Sequence, residues 1–563
     1  MTLISVMVIM PLLSVVVPTL DRPDTLRHAL ATMACQPANA DCEFIVQNNG
    51  GNPEIAEMVA GLKDARFRHF ASDAVLTMTD NWEAALGQAS GEYVTFIGDD
   101  DALMPYACAT AEGILSGRAT DLLSWRAYSY HWPSYYHAAF RNRLLAEIDL
   151  TSSAKRISSR NELVRIFGFQ AHYAYLPMIY NSFVHRSVID RMRAIAGRYF
   201  VGLSPDVASG IANAALTDSF VRLSRPLGMA GFSRHSTGHA LFFETTDLLE
   251  TPRGARDFGT IDGEPELPDL NALQLFIAKD MLVLKRLLLA DDDDVRLDFK
   301  ALAQALAAGI NNRPLLYDRT LQTIGELART HGFDAGDIIV PTRHADRPPP
   351  GRGVRASGPN RVIYELDGSA LGLASIADAV RVIAQFVPEQ APFDPAALEV
   401  SASAPILGAG ELEFVRDGTG VAALIEGWSE PEEWGTWSIA RNCVLRFEVR
   451  PVPLRPVDIV LACRAFVSDG NPQLRAVCRV SNGPLQQLTF STEAFVGLRR
   501  LTLDPGAIAA DGTLTISLAL SDPRSPADLA LSSDVRPLGI GLERIWLDHG
   551  IRASPRRRLS PAQ

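Results

Sequence analysis

Gly91-Glu92-Tyr93-Val94-Thr95-Phe96-Ile97-Gly98-Asp99-Asp100-Asp101 decides the fold of the first half of this chain. Tyr93 to Ile97, largely β-branched or aromatic, reads as a short buried strand, and Gly91 ends the helix before it. The strand runs straight into three aspartates. Like charges packed this closely raise one another's pKa and destabilise a turn unless a cation sits beside them. Mg²⁺ or Mn²⁺ suits such a turn, because a hard divalent ion prefers carboxylate oxygens and shares its remaining positions with substrate phosphates. The chain supplies a contrast in Asp291-Asp292-Asp293-Asp294, which follows a helix with no apolar strand before it and reads as solvated.

Towards the N-terminus the same alternation repeats. Strand Ser14–Val17 leads through Pro18-Thr19-Leu20-Asp21-Arg22-Pro23 into a helix with Leu26, Leu30 and Met33 on its apolar face. Phe44-Ile45-Val46 forms a second strand, ended by the turn Gln47-Asn48-Asn49-Gly50-Gly51. Trp82, Ala85, Leu86 and Ala89 follow at helical spacing. Strands alternating with helices predict an open, Rossmann-like parallel sheet, with ligands bound beyond the carboxyl ends of its strands. Met1 to Leu20 is apolar, but Pro11 and Pro18 interrupt it and no basic segment precedes it, so it reads as strand, not as a membrane anchor.

Residues from about 110 to 335 read as mainly helical, most clearly Leu270 to Ala290, and the stretch 341–360, with Pro348-Pro349-Pro350-Gly351, reads as a linker. Short strands such as Val444–Val449 and Leu514–Leu518 then predict an all-β sandwich. The expected boundaries are an α/β domain at 1–240, a helical extension at 241–340, the linker at 341–360, the sandwich at 361–550 and a basic, disordered tail at 551–563. The tail holds Pro555-Arg556-Arg557-Arg558 and reads as solvated, with peripheral contact to an anionic membrane as the alternative.

The 563 residues are 47% hydrophobic and 21% charged, enough for several domains with cores of their own. A net charge of −12 without a basic face excludes a phosphate-tracking nucleic-acid binder. The six cysteines are scattered, with no zinc-site spacing, and read as reduced thiols of a cytosolic protein.

Residues 12–240 resemble the family-2 glycosyltransferases of the GT-A fold. The matching pieces are Ser14-Val15-Val16-Val17-Pro18-Thr19 with Arg22-Pro23, Glu43-Phe44-Ile45-Val46 before Asn48-Asn49-Gly50, and Gly91 to Asp101 followed by Pro105. The resemblance implies that Asp99–Asp101 is the family's DxD motif, with Asp101 as principal ligand of Mn²⁺ or Mg²⁺, and Asp99 and Asp100 near ribose and diphosphate. It also implies that Pro18, Thr19, Arg22 and Asn48 lie around the nucleotide. Leu20 and Asn48 depart from the family, which often has an aromatic and an aspartate there, so the identity of the base stays open.

Inversion at an anomeric carbon requires a carboxylate to deprotonate the acceptor hydroxyl. The family places it about a hundred residues past the metal turn, where Leu203-Ser204-Pro205-Asp206-Val207 stands, and Asp206 is the expected base. Ser204-Pro205-Asp206 would also start a helix well. In Gly231–His239, Arg234 is expected on the diphosphate, and His235 or His239 beside Asp99 and Asp101 in the metal shell. Glu426 to Ser438, dense in Trp, and Leu538 to Leu547 resemble jelly-roll modules appended to bacterial surface-polysaccharide enzymes, which implies either a glycan-binding face or a tryptophan-filled core. The expected activity is transfer from a nucleotide sugar to a glycan or lipid-linked glycan acceptor, in the cytoplasm or at the inner face of the membrane. A nucleotidyltransferase and a non-catalytic glycan-binding scaffold are the alternatives.

Overall fold

Seven consecutive residues with buried side chains, Leu13–Thr19, form β1 in the interior of the first sheet. The structure is a computed structural model, and it describes residues 10–150, 153–236, 264–343, 353–356, 361–388, 405–408, 410–416, 418–481, 483–509, 512–529, 531–532, 534 and 536–548. The chain divides into two units, 1–401 and 402–563.

In the first unit β1 is flanked by β2 (Cys42–Asn48), β3 (Phe67–Ala71) and β4 (Tyr93–Phe96), all parallel. Helices α1 (Pro23–Ala34), α2 (Pro53–Gly61) and α3 (Met78–Gln88) connect them, and α1 and α2 carry Pro in their first turn. Neighbouring residues of β1 enter opposite cores. Val16 packs with Trp82 and Phe96 on one face, while Val15 and Val17 pack with Leu26 and Leu30 on the other. That two-sided burial is why these strands read as unbroken apolar runs.

Next come β5 (Ala102–Leu103), α4 (Ala107–Leu115), β6 (Leu122–Trp125), β7 (Tyr128–His131), β8 (Arg143–Asp149), β9 (Ala154–Ser158), α5 (Ser159–Phe167) and β10 (Ser182–His185). Then follow α6 (Arg186–Ala196), α7 (Pro205–Ala215), β11 (Ser219–Leu223) and β12 (Gly228–Phe232). The large sheet runs β3-β2-β1-β4-β10-β6-β11-β9. The mainly helical reading of 110–335 is therefore corrected: between Leu122 and Phe232 the chain supplies strands to two sheets. Most are four or five residues long, too short for a period to show. Helix does prevail after 264, in α8 (Leu273–Leu288), α9 (Phe299–Ala308) and α10 (Tyr317–His331).

The sandwich boundary is corrected too, as is the linker reading at 353–356; residues 344–352 and 357–360 lie outside the described residues. β13 (Gly353–Ala356) and β14 (Arg361–Asp367) form a hairpin that pairs through β14 with β8, completing a second sheet in the order β13-β14-β8-β7-β12-β5. Helix α11 (Ile376–Ala384) shares a core with Met104, Tyr128 and Met229 of that sheet region. Local Pro and Gly content gave the linker reading, whereas the pairing partner lies more than 200 residues earlier in the chain.

The second unit, among its described residues, holds β15 (Ile406–Leu407), β16 (Leu412–Glu413), β17 (Leu424–Glu426), β18 (Thr436–Trp437), β19 (Asn442–Val449) and β20 (Val457–Ala465). It continues with β21 (Gln473–Val480), β22 (Leu485–Ser491), β23 (Val496–Leu503), β24 (Thr513–Leu520) and β25 (Ile540–Asp548). Two sheets, β15-β19-β24-β21-β22 and β16-β25-β20-β23, enclose one apolar core that includes Phe447, Leu461, Ile516 and Leu542. Trp428 lies in that core at 4% exposure, its Nε1 donating to the Val444 carbonyl at 3.1 Å. Trp434 is covered by the Arg464 guanidinium, 4.1 Å from the ring centre, and packs edge-on against Trp437.

The basic tail 551–563, the apolar residues 1–9 and His239 lie outside the described residues. No described helix is long and apolar enough to cross a membrane. The cysteines are free, and all but Cys35 are buried.

Candidate active site

Because β1, β2 and β4 are parallel neighbours, their carboxyl ends gather Thr19, Asn48 and the acidic turn in one place. Thr19 pairs in register with Asn48. Its hydroxyl donates to Asp99 Oδ2 at 2.7 Å, and Arg22 Nη1 donates to Asp99 Oδ1 at 3.2 Å. Asp99 is thus an anchor between the first and fourth strands. Asn48 is spent locally: its Oδ1 accepts the Asn52 N–H at 3.1 Å, and its Nδ2 donates to the Asn52 carbonyl at 2.8 Å and lies 3.2 Å from His69 Nε2. The fully buried Asn48 amide holds the turn after β2.

Asp100 and Asp101 face the small sheet. Asp101 Oδ2 accepts the Gly98 N–H and its Oδ1 the Gly231 N–H, both at 2.7 Å, and the Tyr180 hydroxyl also donates to it. Asp100 Oδ2 accepts from the Ser236 hydroxyl at 2.8 Å and the Ser233 N–H at 3.3 Å, while its carbonyl accepts Trp132 Nε1 at 3.0 Å. A Cβ on Gly231 would stand 1.7 Å from the Asp100 carbonyl oxygen, so β12 can pass this turn only as glycine. The three aspartates are 2%, 6% and 4% exposed. Burial, then the charge of Asp99, raises Asp100; burial, then the charge of Asp100, pushes Asp101 up to about 7.

No three His, Cys, Asp or Glu side chains among the described residues are arranged to hold a metal. Asp99 serves Thr19 and Arg22, and His235 Nε2 receives the Arg234 Nε–H at 2.9 Å. A hard ion needs no such cage. Mg²⁺ binds through one or two carboxylates and completes its octahedron with water and phosphate oxygens. Two buried carboxyls raised by burial and by neighbouring charge suit that mode, since added positive charge lets both ionise. Asp101 keeps lone pairs beyond its N–H contacts for it.

Asp206 stands in the first turn of α7, after Pro205, where helix geometry fixes its backbone. It is partly exposed, and the surrounding protein raises its carboxyl above the usual range. Its charge also acts on Tyr173 and Tyr180, raising both hydroxyls after burial does. Tyr180 donates to Asp101 and stacks 5.8 Å from Trp82 at 9°. Arg234 is exposed at the rim. Pro18 lies within β1, in register with Gln47. Tyr180, Gly231 and Trp132 were not singled out from sequence, because each reaches the turn from a remote strand or loop.

Residues 14–170 match the family model described as glycosyl transferase family 2. A GalNAc(5)-diNAcBac-PP-undecaprenol beta-1,3-glucosyltransferase of Campylobacter jejuni is 36% identical over 104 residues, 18% of this chain and 33% of that protein. The chain thus spans about a third of the length of the curated relative it matches. Among solved structures, residues 1-349 of TarS from S. aureus are 14% identical, covering 57% of this chain and 88% of that one with a TM-score of 0.32. The same protein in complex with UDP-GlcNAc is 15% identical, with the same coverage and TM-score.

Proposed function

We propose that this protein is an inverting glycosyltransferase that moves a sugar from a nucleoside-diphosphate sugar to a glycan or lipid-linked glycan acceptor in bacterial surface-polysaccharide synthesis. The observation that carries the reading is the acidic turn: three buried aspartates at the end of β4, inside the stretch that matches family 2. The Campylobacter relative, named as a glucosyltransferase on an undecaprenol-linked glycan, supports the sugar and acceptor classes.

Mn²⁺ or Mg²⁺, when bound, would supply Lewis-acid stabilisation of the charge developing on the departing diphosphate. Asp101 would hold it, with Asp100 beside the diphosphate and Asp99 keeping Thr19 and Arg22 in place. Arg234 is the exposed cation for the phosphate oxygens, and Pro18 borders the base. Asp206 takes the proton of the acceptor hydroxyl as that oxygen bonds to the anomeric carbon. The bond from carbon to diphosphate breaks, and its electron pair leaves with the diphosphate. A carboxyl raised by its surroundings is a better base than an exposed one. The reaction belongs on the cytoplasmic side, at the inner face of the membrane for a lipid-linked acceptor. The second unit, with Trp428 and Trp434 engaged in its own packing, is an assembly module with no second chemistry.

Calorimetric titration of UDP, GDP and TDP with and without Mn²⁺, on wild type and Asp101→Ala, tests this. Expected is metal-dependent binding of one nucleotide, weakened at least a hundredfold by the substitution. Absence of binding to all three in the presence of Mn²⁺ would sink the enzyme reading.

A further inference from the structure

Asp280 is a carboxylate with no exposure in the middle of α8, well outside the stretch 14–170 that matches family 2. Its neighbours on that helix are apolar: Phe276, Ile277, Met281 and Leu284 are all buried. Burying an anion there costs stability that an apolar side chain would not, so the group needs a reason.

The reason lies at its oxygens. Oδ1 accepts the Leu203 N–H at 2.7 Å and Oδ2 the Ser204 N–H at 2.8 Å, and the Ser204 hydroxyl adds a third bond. Ser204 is the N-cap residue of α7, yet its side chain makes no bond to the first turn, because it is turned to Asp280. Gly202 lies at φ +89°, and a Cβ there would fall 2.3 Å from Asp280 Oδ1. The loop therefore closes on the carboxylate only as glycine. The next residues in the chain are Pro205 and Asp206.

We infer that Asp280 is a positioning residue for Asp206: by clamping Gly202–Ser204 it lets helix α8, outside the matched stretch, set where the catalytic carboxylate stands. The inference rests on the reading of Asp206 as the base. It makes the helical segment part of the acceptor half of the site, not a cover over the sheet.

The test compares full-length wild type, Asp280→Asn, Ser204→Ala, Asp206→Asn and the Asp206→Asn/Asp280→Asn double variant. Nucleotide affinity is measured with UDP, GDP and TDP plus Mn²⁺, and turnover as nucleoside diphosphate released from UDP-, GDP- and TDP-sugars to water. Asp280→Asn is expected to lower turnover at saturating donor at least tenfold, and Ser204→Ala several-fold, with nucleotide affinity within twofold of wild type. The double variant should be no slower than Asp206→Asn alone, since a residue acting only through another adds nothing once that other is gone. Multiplicative losses in the double variant, equal loss of affinity and turnover, or unchanged turnover would each overturn the inference. If Asp280→Asn fails to fold, Ser204→Ala carries the same comparison. A wild type that binds none of the nucleotides overturns the transferase reading, and this inference with it; a wild type that turns over while Asp280→Asn matches it overturns the inference alone.

Discussion

At the scale of single residues, the acidic turn depends on what does not project from β12. Gly231 donates its N–H to Asp101 and leaves its Cα face against the Asp100 carbonyl. A methyl group there must push the strand or the turn aside. Gly231→Ala is expected to lower stability by about 1–3 kcal/mol, the range for overpacking a closed site, and to weaken nucleotide binding at least tenfold. Thermal unfolding and calorimetry check the two effects, and intact binding would mean that the turn tolerates the shift. The aspartates themselves were legible in the sequence, because an apolar strand running into consecutive acids leaves few other readings. Asn48, Gly231 and Tyr180 were not. The position of Asn48 in its turn says nothing of where its amide bonds. Tyr180 and Gly231 act across 79 and 130 positions from Asp101, and such pairings leave no local pattern.

At the scale of elements, α8 carries a buried carboxylate whose partners its periodicity hid. Leu270 to Ala290 was read correctly as an amphipathic helix, but a lone acid among leucines gives no sign of what it faces. Burial, against the N–H bonds of Leu203 and Ser204, pushes Asp280 up to about 7. Its folded-state pKa thus stands above the unfolded value near 4. The native state then holds more protons than the unfolded state between those limits, so stability falls as pH rises from about 4 through about 7. The protein should be more stable at pH 5 than at pH 8, with Asp280 contributing at most about 3 kcal/mol to the difference. Urea unfolding at the two pH values, on wild type and Asp280→Asn, reads this. The variant should lose part of the difference, and an identical difference would assign it to other groups. The short strands β6 to β12 were illegible for another reason. Four or five residues paired to distant strands satisfy helix and strand patterns about equally well, and tertiary contacts decide between them.

At the scale of the molecule, the chain divides into two units at about residue 401, later than its composition suggested. The Pro- and Gly-rich stretch near 350 looks like a boundary, yet the hairpin after it belongs to the first unit. A chain ending at Ser401 is expected to bind nucleotide within threefold of the full protein. One ending at residue 340 should aggregate, because β8 then keeps an open edge and the core beside α11 is exposed. Size-exclusion chromatography with calorimetry separates the cases, and a well-behaved, nucleotide-binding 1–340 fragment would remove the hairpin from the catalytic unit.

The same hairpin bears on how the protein is made. During synthesis β8 leaves the ribosome more than 200 residues ahead of β14, its partner. Asn142, at the start of β8, waits equally long for Gly368, which donates to its carbonyl, and for the Leu373 carbonyl, which accepts from its amide. The large mixed sheet, whose strands all precede residue 224, can form while that edge is still bare. The nascent chain therefore passes through a stage with its large sheet assembled and an unpaired strand beside it, the kind of surface that chaperones shield.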